Sequence, residues 1–330
     1  MKKSLIFILS IILIFVLCSH VNAKVTGVCS NCHTMHNSQG GASMITGYDP
    51  VSGPYGSLLR ANGCIGCHAS TVAGTWQGVG DAPIVFNTSA PTYGANGLAA
   101  GNFYYVVNNE NRGHNVTDIT NYDTVFNGKY IPGSTTTYGA SVQVTCAGEI
   151  GCHGDRTSGN DELAGISGAH HTDDSGGITG GSVGLSYRFL NGILGTEDSD
   201  WEQDDTNTSH NEYKGGSGFP ATETISSLCG QCHGDFHSSA GVGSTSPWLR
   251  HPTDKVLNSS GEYASYTTYS MTAPVARPTP GVSSNTVTPG TDIIMCLSCH
   301  RAHGSPNYKM IRWDNQANME GCVVCHTSKN

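Results

Sequence analysis

Five times this chain sets two cysteines two residues apart and follows the second directly with a histidine. The sets are Cys29, Cys32 and His33; Cys64, Cys67 and His68; Cys229, Cys232 and His233; Cys296, Cys299 and His300; and Cys322, Cys325 and His326. A histidine follows a random position roughly one time in forty on ordinary residue usage, so the repetition is not chance. A bare C-x-x-C pair reads as a zinc site or a redox dithiol. The histidine makes it the attachment signature of c-type haem. On one helical turn the two thiols share a face and reach the two vinyl groups of one porphyrin, while the histidine turns its imidazole to the iron.

A sixth site is irregular. Cys146, Cys152 and His153 keep the cysteine-histidine end of the motif, but five residues separate the cysteines instead of two. The extra residues must bulge out for both thiols to reach one porphyrin. A short disulfide is the alternative, since a small closed loop forms easily in an oxidising compartment; it would leave His153 unexplained.

Residues 1–23 read as a secretory signal, with Lys2 and Lys3 ahead of an apolar run from Leu5 to Leu17 and a small-residue cleavage site ending at Ala23. The mature chain, 24–330, is then a single hexahaem domain. Cys18 raises lipid attachment, but the bulky Leu17 before it argues against that. Removing Cys18 with the signal leaves twelve of the 13 cysteines, and all twelve fall into the six sites. No later apolar stretch is long enough to span a bilayer, so the expected location is outside the cell, reached through the periplasm.

Composition then decides the fold class. Only 12% of residues are charged and 43 are glycine, against a usual charged share of roughly 25%. The chain is too poor in large aliphatic residues for an ordinary core. Six porphyrins would supply the missing apolar surface, with loops wrapping them. The expected fold is a multihaem cytochrome c of mostly irregular coil, with short helices at the attachment sites and few strands, for example 102–108 and 141–145. A net charge of −9 excludes a nucleic-acid partner, which needs a basic face.

Counting ligands separates conduction from catalysis. Of 15 histidines, setting aside His20 in the signal and the six proximal ones leaves eight: His36, His114, His170, His171, His210, His237, His251 and His303. Six irons need six, so each can be capped on both sides, and a capped iron has no open position for substrate. Methionine ligands such as Met35, Met295 or Met310 are then unnecessary. His36, His237 and His303 each lie one turn beyond an attachment histidine, suited to a neighbouring haem. His170 and His171, in a segment read as extended, face opposite ways and serve two haems, or one is a bystander. His210 reads as exposed, the acidic run 197–205 as a solvated loop, and 274–291 as an exposed Pro/Ser/Thr linker.

At this point the residues resemble a known family, the extracellular hexahaem c-type cytochromes of metal-reducing bacteria that polymerise into conducting filaments, the OmcS type. The similarity rests on the strings Cys32-His33-Thr34-Met35-His36-Asn37-Ser38, Gly113-His114-Asn115, Leu249-Arg250-His251-Pro252 and Cys296-Leu297-Ser298-Cys299-His300-Arg301-Ala302-His303, with a last site near the C-terminus. The resemblance implies six bis-histidine haems c in a continuous chain of alternating parallel and T-shaped pairs. It implies that His36 ligates the fifth haem, held by Cys296, Cys299 and His300, of an adjacent subunit. It also implies cytochrome donors in the periplasm or outer membrane and an extracellular acceptor, a metal oxide or a partner cell. The chain departs from the family at its third site, with five intervening residues, and lacks the histidine the family carries just after it, a place His170 or His171 would fill. The readings set against this one are a monomeric periplasmic shuttle and a multihaem reductase. The reductase would need a vacant iron position, often with a C-x-x-C-K motif, which is not in the sequence.

Overall fold

The computed structural model describes residues 23–36, 38–39, 42–43, 55–93, 97–120, 131–134, 143–203, 205–238, 251–315 and 317–329. Residues 1–22, which hold Cys18, His20 and nearly all of the segment read as a secretory signal, lie outside the described residues, as do 141–142 and 248–250.

The attachment motif writes its own local structure. In each regular site the histidine N–H donates to the carbonyl of the first cysteine: His33 to Cys29 at 2.9 Å, His68 to Cys64 at 3.0 Å, His233 to Cys229 at 2.9 Å, His300 to Cys296 at 3.0 Å and His326 to Cys322 at 2.9 Å. That bond closes one helical turn. The second, fourth and sixth sites accordingly fall on or at the end of α-helices, α1 (Ile65–His68), α4 (Ile225–Gly230) and α5 (Glu320–Cys325), while the first and fifth are 3₁₀ turns at Cys29–Asn31 and Cys296–Ser298. The other α-helices among the described residues are α2 (Tyr104–Asn108) and α3 (Glu162–Gly165). Helices this short do not persist alone in water. They survive by capping and by tertiary contact: Thr224 Oγ1 accepts from Ser227 N at 2.9 Å and Ser227 Oγ accepts from Thr224 N at 3.1 Å at the start of α4, a reciprocal cap worth about 1 kcal/mol.

Among the described residues, strands are two or three residues long and pair two by two. The ladders are β1 (Ser38–Gln39) with β2 (Ala42–Ser43), β3 (Ala69–Ser70) with β4 (Phe86–Asn87), β5 (Thr145–Ala147) with β6 (Gly151–His153), β7 (Gly195–Thr196) with β8 (Glu212–Tyr213), and β9 (Lys255–Val256) with β10 (Ile293–Ile294). The described residues are mostly irregular coil with short helices and few strands, as expected from the sequence. No helix among the described residues is long and apolar enough to cross a membrane.

The structure differs from the sequence reading in several places. Residues 104–108 form α2 rather than a strand; Val106 turns inward beside Phe103 and Val116, and a single helical turn does this as well as a strand would. The 274–291 segment is an exposed linker chiefly in its middle, 278–286, where Val282 is 91% exposed; Val275, Ala276 and Val287 are at most 2% exposed, and the chain pairs with β10 through Ala276 and Ile293. The acidic run is partly interior. Glu202 is 1% exposed, its Oε1 accepting from Asn211 N at 2.6 Å and Tyr213 Oη at 3.1 Å. His210 is buried, its ring stacked on Tyr269 with centroids 3.7 Å apart.

Side chains do build small apolar clusters. One gathers Tyr187, Ile193, Tyr213, Ile225, Ile293 and Met295 and reaches attachment Cys229; a second, around Leu257, Tyr266 and Val275, reaches Cys325; the third reaches Cys146. Each is a small nucleus set against an attachment cysteine.

Candidate functional site

Imidazoles come together in facing pairs, and each pair joins an attachment histidine to one distant in sequence. Ring centroids are 5.9 Å apart for His33 and His171, 6.5 Å for His68 and His170, 6.2 Å for His153 and His303, 6.1 Å for His233 and His114, and 6.2 Å for His326 and His251. Imidazoles in direct contact would sit closer than this. A metal held about 2 Å from each ring nitrogen sets two centroids roughly 6 Å apart, so the spacing fits an iron between them.

The second ring nitrogen is already used. Nδ1–H donates to a backbone carbonyl in His33 (Ser57, 3.0 Å), His68 (Pro83, 3.0 Å), His153 (Arg188, 2.9 Å), His233 (Pro132, 2.7 Å) and His300 (Lys309, 3.0 Å). In His326 it donates to Glu262 Oε1 at 3.1 Å. Distal His114 and His251 do the same, to Ala302 O at 2.7 Å and Pro252 O at 3.0 Å. A proton held on Nδ1 leaves the lone pair on Nε2, the tautomer a metal needs. Burial reinforces it, pushing His68, His114, His153, His251 and His300 below the ordinary imidazole value, His170 down to about 4 and His303 down to about 3. These rings are neutral at physiological pH.

Local backbone explains how the pairs assemble. Gly168, at φ +74°, turns the chain into a 3₁₀ turn over Ala169–His171 rather than the extended segment read from the sequence; successive side chains on such a turn point about 120° apart, and His170 and His171 reach two different partners. The segment at Lys24 and Val25 is strapped over this turn by Lys24 N to Thr172 O at 2.8 Å and Val25 N to His170 O at 3.0 Å. Lys24 Nζ pairs with Glu197 at 2.7 Å. His303 is stacked on Phe103 at 4.5 Å, and the loop carrying His114 crosses it so closely that a Cβ on Gly113 would sit 2.2 Å from His303 O.

The irregular third site is built from β5 and β6, which run parallel with Thr145 opposite Gly151 and Ala147 opposite His153. Gly148, at φ +86°, makes the turn, and a Cβ on Gly151 would lie 2.4 Å from the Ala147 backbone. The five inserted residues thus coil back on themselves and return the histidine to its place. Cys146 and Cys152 are free thiols, as are the other ten attachment cysteines, so the disulfide alternative is not adopted.

Thiols of successive sites are neighbours. Cys32 lies near Cys67, Cys64 near Cys146 and Cys229 near Cys296, with Cys152 near Cys232 and Cys299 near Cys322 and Cys325. The six sites therefore follow one another in space in chain order. Cys64, Cys146 and Glu162 bring three donor atoms within 4.8 Å of one another. The two cysteines belong to consecutive attachment sites, and Glu162 Oε1 accepts from Cys146 N at 2.6 Å.

Three histidines stand apart. His237, expected as a distal ligand, is not brought opposite an attachment histidine: its Nε2 lies 2.7 Å from Asp254 Oδ2, and the carboxylate occupies the nitrogen an iron would need. His210 has both ring nitrogens directed to carbonyls, Asn211 O at 2.9 Å and Ser284 O at 3.3 Å. His36 is exposed. Among the described residues no imidazole faces His300. Sequence reasoning missed Asp254, Glu262 and the carbonyl acceptors; backbone acceptors leave no residue-type signal, and neither acid lies in a motif.

Residues 289–330 match a family model described as the doubled CXXCH motif, covering the last two attachment sites. No curated protein matches the chain. Among solved structures the chain is similar to the Outer Membrane Cytochrome S filament from Geobacter sulfurreducens, at 19% identity and TM-score 0.45, and to the OmcS nanowires from Geobacter sulfurreducens determined by cryo-EM, at 20% identity and TM-score 0.47; each alignment covers 89% of this chain and 85% of the other. By its attachment motifs, the doubled unit at its C-terminal end among them, the chain is a protein that binds haem c covalently.

Proposed function

We propose that this chain is an exported hexahaem cytochrome that carries electrons along six bis-histidine haems c and assembles head to tail into a filament outside the cell. The single observation that carries this reading is the set of facing imidazoles, which spans five attachment histidines and leaves one, His300, for a ligand from elsewhere. Each haem supplies a one-electron iron couple when bound. What the chain supplies is rigid holding: two cysteines and a histidine on one turn, a second histidine from a distant segment, and Nδ1 bonds that keep the attachment rings, and distal His114 and His251, from turning. Cys29, Cys32, His33 and His171 would hold the first haem; Cys64, Cys67, His68 and His170 the second; Cys146, Cys152, His153 and His303 the third. Cys229, Cys232, His233 and His114 would hold the fourth, Cys296, Cys299 and His300 the fifth, and Cys322, Cys325, His326 and His251 the sixth. With an imidazole on both faces no iron position is left for substrate, which favours conduction over catalysis.

His36 is the ligand proposed for the fifth haem of the adjacent copy. It is an exposed ring with no iron of its own, next in sequence to Met35, which is 69% exposed, and Val28 just before the first attachment turn is 67% exposed. Apolar side chains left bare around a histidine suit a face covered by a second copy. Donors in the periplasm or outer membrane and an extracellular acceptor, a metal oxide or a partner cell, complete the proposed path. His36→Ala is expected to abolish filaments under the electron microscope and to leave one high-spin haem in six. Filaments that persist in this variant would remove the cross-subunit ligand from the proposal, and a native protein that sizes as a monomer would favour the periplasmic shuttle.

A further inference from the structure

Five attachment histidines give their Nδ1 proton to a neutral carbonyl; His326 gives its proton to a carboxylate. Glu262 Oε1 is 3.1 Å from His326 Nδ1, and Glu262 Oε2 accepts from Ser328 Oγ at 2.9 Å. Thr327 Oγ1 donates to the Glu262 carbonyl, so three consecutive residues after Cys325 are tied to this one acid. The glutamate is placed by a 3₁₀ turn over Gly261–Ser265, and Tyr263 from the same turn sets its ring edge-on to His326, with centroids 5.1 Å apart. The His326 and Glu262 side chains are 29% and 17% exposed, so solvent screens the contact only in part.

We infer that Glu262 is the residue that sets the sixth haem apart, making its iron the hardest of the six to reduce. This rests on the haem reading above. A carboxylate drawing on Nδ1–H makes the imidazole a stronger donor through Nε2, and a stronger donor favours the ferric state. The carboxylate charge acts in the same direction. An electron arriving at this site comes from the adjacent iron, which is oxidised as the sixth is reduced, with no proton transferred. In a head-to-tail assembly this makes one step per subunit unfavourable, always at the same end.

The test is a potentiometric titration of the full-length holoprotein, followed by haem absorbance, with Glu262→Gln and Ser328→Ala. Glu262→Gln keeps the shape and removes the charge: the lowest of the six couples is expected to shift toward reduction by about tenfold, about 59 mV for a one-electron couple, with the low-spin spectrum retained. Ser328→Ala leaves Glu262 fewer donors to share and is expected to shift the same couple the opposite way, by less. Unchanged curves in both variants, with haem bound and low-spin, would overturn the role of Glu262 alone. Wild-type protein without covalent haem would overturn both it and the reading it rests on.

Discussion

His303 and His237 begin from the same kind of position, a few residues past an attachment histidine on a tight turn, and end in different chemistry. His303 is buried against Phe103 and faces His153 at 6.2 Å. His237 lies against Phe219 at 5.2 Å with its Nε2 on Asp254, whose side chain is fully buried and also accepts from the Thr224 cap of α4 at 2.9 Å. One ring is turned to the attachment histidine of the third site, while the other clamps the loop after the fourth site onto the helix that carries it. On the function proposed above, a histidine beside a haem motif serves as a ligand where the fold leaves its Nε2 free and points it at another site; a carboxylate within reach makes the same ring a structural link.

Acid should act most broadly on this contrast. Burial lowers His303 to about 3 and His170 to about 4 from an ordinary 6.5, so between those values the folded chain binds fewer protons than the unfolded one. Stability is then full above about 6.5 and falls as pH drops through the folded values. A spectroscopic titration is expected to keep the low-spin spectrum well below pH 6; loss near pH 6.5 would mean the rings are not buried as described. His303→Ala comes next, with one haem in six converted to a high-spin or exogenously ligated form in the electron paramagnetic resonance spectrum. Gly151→Ala tests the route by which His153 reaches His303: the added methyl meets the Ala147 backbone, and intact-mass analysis is expected to find a fraction of the protein one haem short. His237→Ala should have the smallest spectral effect, none, but should leave Asp254 buried without its partner at a cost of about 3 kcal/mol, read as a lower denaturation midpoint. A high-spin signal in this last variant would return His237 to the ligands.

Much of the candidate site was legible. The five regular motifs needed only local spacing, because a histidine four residues after the first cysteine closes its own hydrogen bond whatever surrounds it. The third site was legible from Cys152 and His153, and the Gly148 and Gly151 that permit its insert were in view, though their role depends on the return of β6 beside β5. Polar residues were the harder class. Glu202 and His210 looked solvated by their neighbours in sequence, yet the structure buries them because Tyr213, Asn211, Tyr269 and Ser284 come from elsewhere to contact them.

The sequence by itself determined where haem is attached, how each attachment turn is shaped, and that the supply of histidines exceeds the need. These follow from covalent chemistry and from bonds between residues three or four apart. Only the tertiary structure decided which ring faces which: His171 to His33, His170 to His68, His303 to His153, His114 to His233 and His251 to His326, with His237 turned aside to Asp254 and His300 left facing no ring among the described residues. The partners in each pair lie on separate segments, and what brings them within 7 Å is the close approach of loops at Gly113 and Gly168, the strap at Lys24, and carbonyls that hold Nδ1 in place. None of these contacts is encoded by residue type at a fixed spacing.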